Sequence, residues 1–139
     1  MTAQTLAPRY SRIGEVCKTF QWESVSALTT GTSKGRYLVP TFCSLREVFV
    51  SSGTAGSGGT SDIIDVNIDG TTIFTTQANR PTLLVGDTGT WSLSGLGAVI
   101  MPPEVTSCKP GTVITYDVDQ VCTTGSALVT ITLIFTDVR

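Results

Sequence analysis

The chain contains no histidine, and charged residues make up only 14% of its 139 positions. Without an imidazole it lacks the commonest general base and the usual partner of a serine or cysteine nucleophile, so no enzymatic activity and no cofactor are expected. Long apolar runs are missing too. No segment approaches the roughly 18 to 20 consecutive apolar residues of a membrane span, and Met1 to Arg12 lack the apolar stretch of a secretory signal. The expectation is a soluble, unexported chain that does not engage membranes. The four cysteines, Cys17, Cys43, Cys108 and Cys122, include no C-x-x-C pair, so a zinc site would have to gather four thiolates from distant positions. A straight strand over Thr112 to Val121 would hold Cys108 and Cys122 too far apart to bridge. Reduced, mostly buried thiols are expected, with a bridge between the N-terminal segment and the body as the alternative.

Hydrophobic residues supply 40% of the chain, and much of the rest is Thr, Ser and Gly, a composition that favours extended structure over helix. The clearest local signal is in Ser61 to Pro81. Ile64, Val66 and Ile68 alternate with Asp65, Asn67 and Asp69, and the pattern turns back through Asp69-Gly70 into Thr71, Thr72, Ile73 and Phe74. An Asp-Gly pair between such runs predicts a tight hairpin, because Gly tolerates the positive φ of a primed turn. Val113 to Val121 alternates again, with Ile114, Tyr116 and Val118 inward. Ala127 to Phe135 places Val129, Ile131, Leu133 and Phe135 on one face and Leu128 and Ile134 on the other, as a central strand would. Short strands punctuated by turns, with no 3.6-residue pattern, predict an all-β fold: an antiparallel, jelly-roll-like β-sandwich.

The first part of the chain reads differently. Residues 1–36 are expected to form an extended N-terminal arm with one short strand around Phe20 to Trp22, and 37–139 the sandwich domain. Thr29 to Gly35 is a loop by composition, and Ser51 to Ser61 a flexible loop of glycines and small hydroxyls. Charge follows the same division. Up to Arg46 there are six basic residues against two acidic, and from Glu47 onward three against nine, within a net formal charge of −2. Solvated charges on each part account for this asymmetry, or, as the sharper reading, a basic arm that lies on an acidic surface of a neighbouring subunit. Nucleic acid is not the expected partner, since its binding surfaces cluster Lys and Arg far more densely.

Gly31 to Arg36 sets glycines beside a lysine without the spacing of a phosphate loop. Asp65, Asn67, Asp69, Asp117 and Asp119 would make an oxygen-ligand set only on neighbouring strands. Alternate carboxylates are the ordinary way to solvate an outer face, and that is the reading adopted, with no metal assigned. The candidate functional residues are therefore those of an interface: Arg9, Arg12, Lys18, Trp22, Lys34 and Arg36 in the N-terminal segment, and Trp91 in a Gly/Thr/Ser-rich surround. The apolar run from Gly95 to Pro103 is a further surface that a neighbour would cover.

Asp65-Val66-Asn67, Gly70 to Phe74, Arg80-Pro81 and Asp117 to Val121, in that order, resemble a β-module of virion structural proteins of tailed bacteriophages, including head decoration proteins and fibre components. The likeness runs from about Leu38 to Phe135 and carries no functional residue across, since what recurs is a turn glycine, a proline stop and outward carboxylates. It implies a non-enzymatic capsid decoration (cement) protein, made in the host cytoplasm and located on the capsid surface. Its implied partners are the major capsid protein and copies of itself, as a homotrimer. The alternative is a tail fibre or baseplate module that binds host-surface glycan through Trp91 and the 51–61 loop.

Overall fold

The computed structural model describes residues 17–86, 91–94 and 107–137, of which Cys17, 91–94 and Asp137 are described by their backbone. Among the described residues ten strands follow in order: β1 (Cys17–Ser24), β2 (Gly31–Leu38), β3 (Cys43–Thr54), β4 (Asp62–Ile68), β5 (Thr71–Thr72), β6 (Thr82–Leu83), β7 (Trp91–Ser94), β8 (Ser107–Cys108), β9 (Val113–Gln120) and β10 (Ala127–Asp137). One sheet has the order β1-β10-β3-β7, with β8 also on β3; the other has the order β2-β9-β4-β5, with β6 also on β4. The pairings are antiparallel. The chain is an all-β, antiparallel sandwich.

Alternation builds the core. Val129, Ile131, Leu133 and Phe135 of β10 and Leu45, Val48 and Val50 of β3 are buried from one sheet, and Ile64, Val66, Ile114, Tyr116 and Val118 from the other. The inward set on β3 changes from odd to even numbers between Leu45 and Val48. A register shift against Ile134 and Phe135 marks the irregularity that allows this, since one extra residue in a strand reverses its facing. The predicted hairpin is present. Asn67 faces Thr72 and Ile68 faces Thr71, and Asp69 and Gly70 have φ of 48° and 85°, the positive pair of a type I′ turn. The Asp69 side chain is also used: its carboxylate accepts from the Val113 N–H at 2.9 Å while its own N–H donates to the Val113 carbonyl at 2.8 Å.

Three expectations change. Residues 17–36, assigned to the arm, belong to the sandwich: β1 pairs with β10 from Cys17 to Ser24, and β2 pairs with β9. Phe20 stacks on Tyr37 at 4.0 Å between ring centroids, and Trp22 lies 5.0 Å from the Tyr116 ring. Gly35 makes room for this, because a Cβ there would sit 2.4 Å from Tyr116 Cε1 and 2.9 Å from Trp22. The segment read as a loop, Thr29 to Gly35, is mostly β2. Gly and Lys are weak strand formers, and here pairing with β9 decides the conformation, with an irregularity between Gly31 and Gly35. The stretch 51–61 is a strand end plus a tethered loop. Ser57 and Thr124 exchange two backbone hydrogen bonds of 2.9 Å, and the Thr123 N–H donates to the Gly58 carbonyl at 2.8 Å. Its glycines permit close approach, as at Gly56, where a Cβ would meet Cys122 Sγ at 2.5 Å.

Candidate functional site

The strand directions give the sandwich two different ends. At one end lie the 25–31 connection, the 54–62 loop, the start of β4 and the 120–127 connection. Asp62, the first residue of β4, is fully buried. Its two carboxylate oxygens accept from the Cys122 N–H at 2.7 Å and the Ser126 N–H at 2.8 Å. Ser126 in turn accepts from the Gly56 N–H through Oγ at 3.1 Å, and its carbonyl takes the Leu28 N–H at 2.8 Å. Burial alone would raise the Asp62 carboxyl, but hydrogen bonds from Ser126 and Cys122 outweigh it and hold the group below its ordinary value. This carboxylate fastens loops together; it has no room for a ligand.

The outer face of the β2-β9-β4 sheet is where the carboxylates were expected to be solvated. β4 and β9 are neighbours, and Asp65 pairs with Asp117. Asp65 and Asn67 are nonetheless buried. Asp65 accepts from the Thr72 hydroxyl at 2.7 Å and the Val66 N–H at 2.8 Å, and Asn67 Nδ2 donates to Asp117 at 3.0 Å. Asp117 also accepts from the Ser33 N–H at 2.7 Å, and Arg80 forms an ion pair with Asp119. Desolvation raises the Asp65 carboxyl, with Asp119 adding to the effect, against hydrogen bonds from Thr72 and Val66. Three of these donors, Thr72, Arg80 and the Ser33 N–H, come from 72–80 and from β2, segments whose path over β4 and β9 alternation alone does not reveal. Among the described residues, no group of three or more His, Cys, Asp and Glu is arranged to hold a metal ion.

At the opposite end lie the 38–43 connection, the Asp69-Gly70 turn, the 108–113 connection, the start of β1 and the finish of β10. Val39 and Gly111 are joined there: the Val39 N–H donates to the Thr112 carbonyl and the Gly111 N–H to the Val39 carbonyl, both at 2.8 Å. Beside this tie, Leu38 and Phe42 are 59% and 62% exposed. Arg36, Arg46 and Lys109 are exposed at the same end, and none of them forms an ion pair with another described residue. Val25, Leu84 and Leu128 are exposed at the Asp62 end. The basic groups near them are committed, Lys34 Nζ to the Thr29 carbonyl and hydroxyl at 2.8 and 2.6 Å, and Arg80 to Asp119.

The structure separates the residues proposed from sequence for an interface. Arg9 and Arg12 lie outside the described residues, as does the 95–103 run. Lys18 is exposed near the start of β1, and Arg36 lies toward the close of β2, so both belong to the Cys43 end. Lys34 is tied back to Thr29. Trp22 is packed against the core, with a buried Nε1 that has no hydrogen-bond partner among the described residues. Trp91 pairs with Ser51 in the edge strand β7. Sequence reasoning missed Phe42, although a large apolar residue two positions after Pro40 in a connection was a readable sign.

The chain matches no protein-family model and no curated protein. Among solved structures it is similar to a chain of the cyanophage Pam1 capsid asymmetric unit, with 15% identity over 91% of this chain and 89% of that one and a TM-score of 0.46. It is also similar to the VP2 subviral particle of infectious bursal disease virus, with 18% identity over 88% of this chain and 32% of that one and a TM-score of 0.43. A structure of the Gx strain of infectious bursal disease virus gives 16% identity over 91% and 32% of the two chains, at a TM-score of 0.44. The chain thus spans about a third of those two viral chains. No residue role is carried across from any of them.

Proposed function

We propose that this chain is a non-enzymatic virion structural protein, a decoration or cement subunit that binds a phage capsid and stabilises it through protein contacts. The observation that carries this reading is the Cys43 end of the sandwich, where Leu38 and Phe42 are exposed and Arg36, Arg46 and Lys109 are exposed at the same end. Exposed apolar and basic side chains at one end fit a partner surface that offers apolar area together with acidic groups. Covering the two side chains would contribute at about 25 cal/mol per Å² of apolar area, with the charges steering encounter. The resemblance of the hairpin and of Asp117 to Val121 to phage virion modules points the same way. In this reading the contacts are with the major capsid protein and with other copies of the chain as a trimer, and the basic N-terminal residues extend the contact. A glycan-binding fibre module gains less support, because the 51–61 loop proposed for it is tied by backbone hydrogen bonds to 123–124.

The test is co-sedimentation of the purified chain with capsids that lack it. The Leu38→Ser/Phe42→Ser double variant should bind at least about tenfold more weakly, roughly 1.4 kcal/mol, with an unchanged melting temperature. Undiminished binding by that variant, or recovery of the native chain by mass spectrometry in purified tails and not in heads, would overturn the proposal.

A further inference from the structure

The sandwich brings together two cysteines that are far apart in sequence. Cys43 opens β3, Cys108 closes β8, and the two are direct partners in the antiparallel register, with Ser44 facing Ser107 beside them. Side chains of directly opposed residues lie on the same face, and both thiols are on the core side, 5% and 4% exposed. Opposed residues in an antiparallel pair have Cα atoms roughly 4.5 or 5.5 Å apart, inside the roughly 4.4 to 6.8 Å that a disulfide spans. Both residues are thiols in this structure. Cys122 is also a buried thiol, but it lies beside Asp62 and Gly56 at the other end of the sandwich.

We infer that Cys43 and Cys108 are a disulfide site, a cross-strand pair that oxidation converts into a covalent clasp between β3 and β8. The reaction is exchange with a small-molecule disulfide such as oxidised glutathione. One cysteine loses its proton and attacks the glutathione disulfide, releasing one glutathione and leaving a mixed disulfide; the other then displaces the second glutathione. Two thiols are oxidised to one disulfide, and one glutathione disulfide is reduced to two thiols. Burial, followed by the neighbouring Cys43, pushes the Cys108 thiol up to about 12, so little thiolate is present in the folded chain at neutral pH. The bridge therefore forms as the chain folds, and the folded state then protects whichever redox form it was given. The clasp would close the loop that contains β3 to β8, including the β4-β5 hairpin, and would hold the end that carries Leu38 and Phe42. The inference does not depend on the proposed function.

The full chain is unfolded and refolded in a buffer of oxidised and reduced glutathione, and in parallel with excess dithiothreitol. Peptide mapping without reduction should recover a fragment linking Cys43 to Cys108, with Cys122 still alkylatable. Long loops gain most from closure, so the oxidised form should melt on the order of 10 °C above the reduced form. Cys122→Ser should keep that difference and Cys108→Ser should abolish it. The mapped linkage in the unmodified chain stands as a readout even if Cys108→Ser folds poorly. Four alkylatable thiols after glutathione refolding, or a mapped bridge through Cys17 or Cys122, would overturn the assignment.

Discussion

The Asp62 end and the Cys43 end of the sandwich are closed by different physics. At the Asp62 end, main-chain groups from three connections converge on one buried carboxylate and one serine, and glycines allow the approach. Satisfying buried N–H groups this way contributes to stability chiefly because leaving them unmade is expensive. At the Cys43 end, a type I′ turn and the Val39–Gly111 tie finish the strands, and two large apolar side chains remain in water. Both ends expose large apolar side chains, Val25, Leu84 and Leu128 at the first and Leu38 and Phe42 at the second, but the described basic groups at the first, Lys34 and Arg80, are tied down while Arg36, Arg46 and Lys109 at the second are exposed. The difference between the ends therefore lies in how their polar groups are used: a buried carboxylate gathers loops at one, and a turn with exposed basic groups finishes the other.

The comparison is most easily broken at Asp62. Asp62→Ala orphans the Cys122 and Ser126 N–H groups and should cost about 3 kcal/mol in urea unfolding at pH 7, with an unchanged m-value. The carboxyl is held below its unfolded value of about 3.9, so its contribution is fully present above that pH and is lost as pH falls through the lower folded value. Acid unfolding of Asp62→Asn should accordingly lose part of its dependence below about pH 4. Asp65, whose carboxyl is raised, works in the opposite sense: the folded form takes up that proton first, so this group's contribution declines as pH rises between the two values.

Gly125→Ala should have the next largest effect. Its Cβ would sit 2.4 Å from the Leu28 carbonyl oxygen, and since backbone must move to relieve this, a loss of about 2 kcal/mol is expected in the same unfolding assay. Phe42→Ser sharpens the contrast from the other side: it should change stability by less than about 0.5 kcal/mol, since the ring is already largely in water. A loss at Phe42 comparable to that at Asp62 would erase the distinction between the ends.

Much of the core was legible because period-2 alternation needs no knowledge of the partner strand. Ile114, Tyr116 and Val118, the inward face of β10, and the Asp69-Gly70 turn all stand where alternation and turn chemistry place them. Residues 17–36 were less legible. Glycine and lysine interrupt the start of β2, and the space filled by Trp22 exists because position 35 has no side chain. The outer face of β4 was misread for a related reason. Asp65 and Asn67 do point away from the core, but Thr72 and Asp117 saturate them, and pattern along a strand does not report what crosses over it.

By itself the sequence determined the class of fold, the tight hairpin and which faces of β9 and β10 are buried, because these depend on residues close together in the chain. It also set the chemical vocabulary: carboxylates and thiols without imidazole, and a basic first third. The tertiary structure decided which of those groups meet. Asp62 became a buried fastener, Lys34 was drawn back to Thr29, Leu38 and Phe42 were left exposed at one end, and Cys43 was set opposite Cys108. Such pairings join residues separated by many tens of positions, and their geometry is fixed by strand register, which only the assembled sheets define.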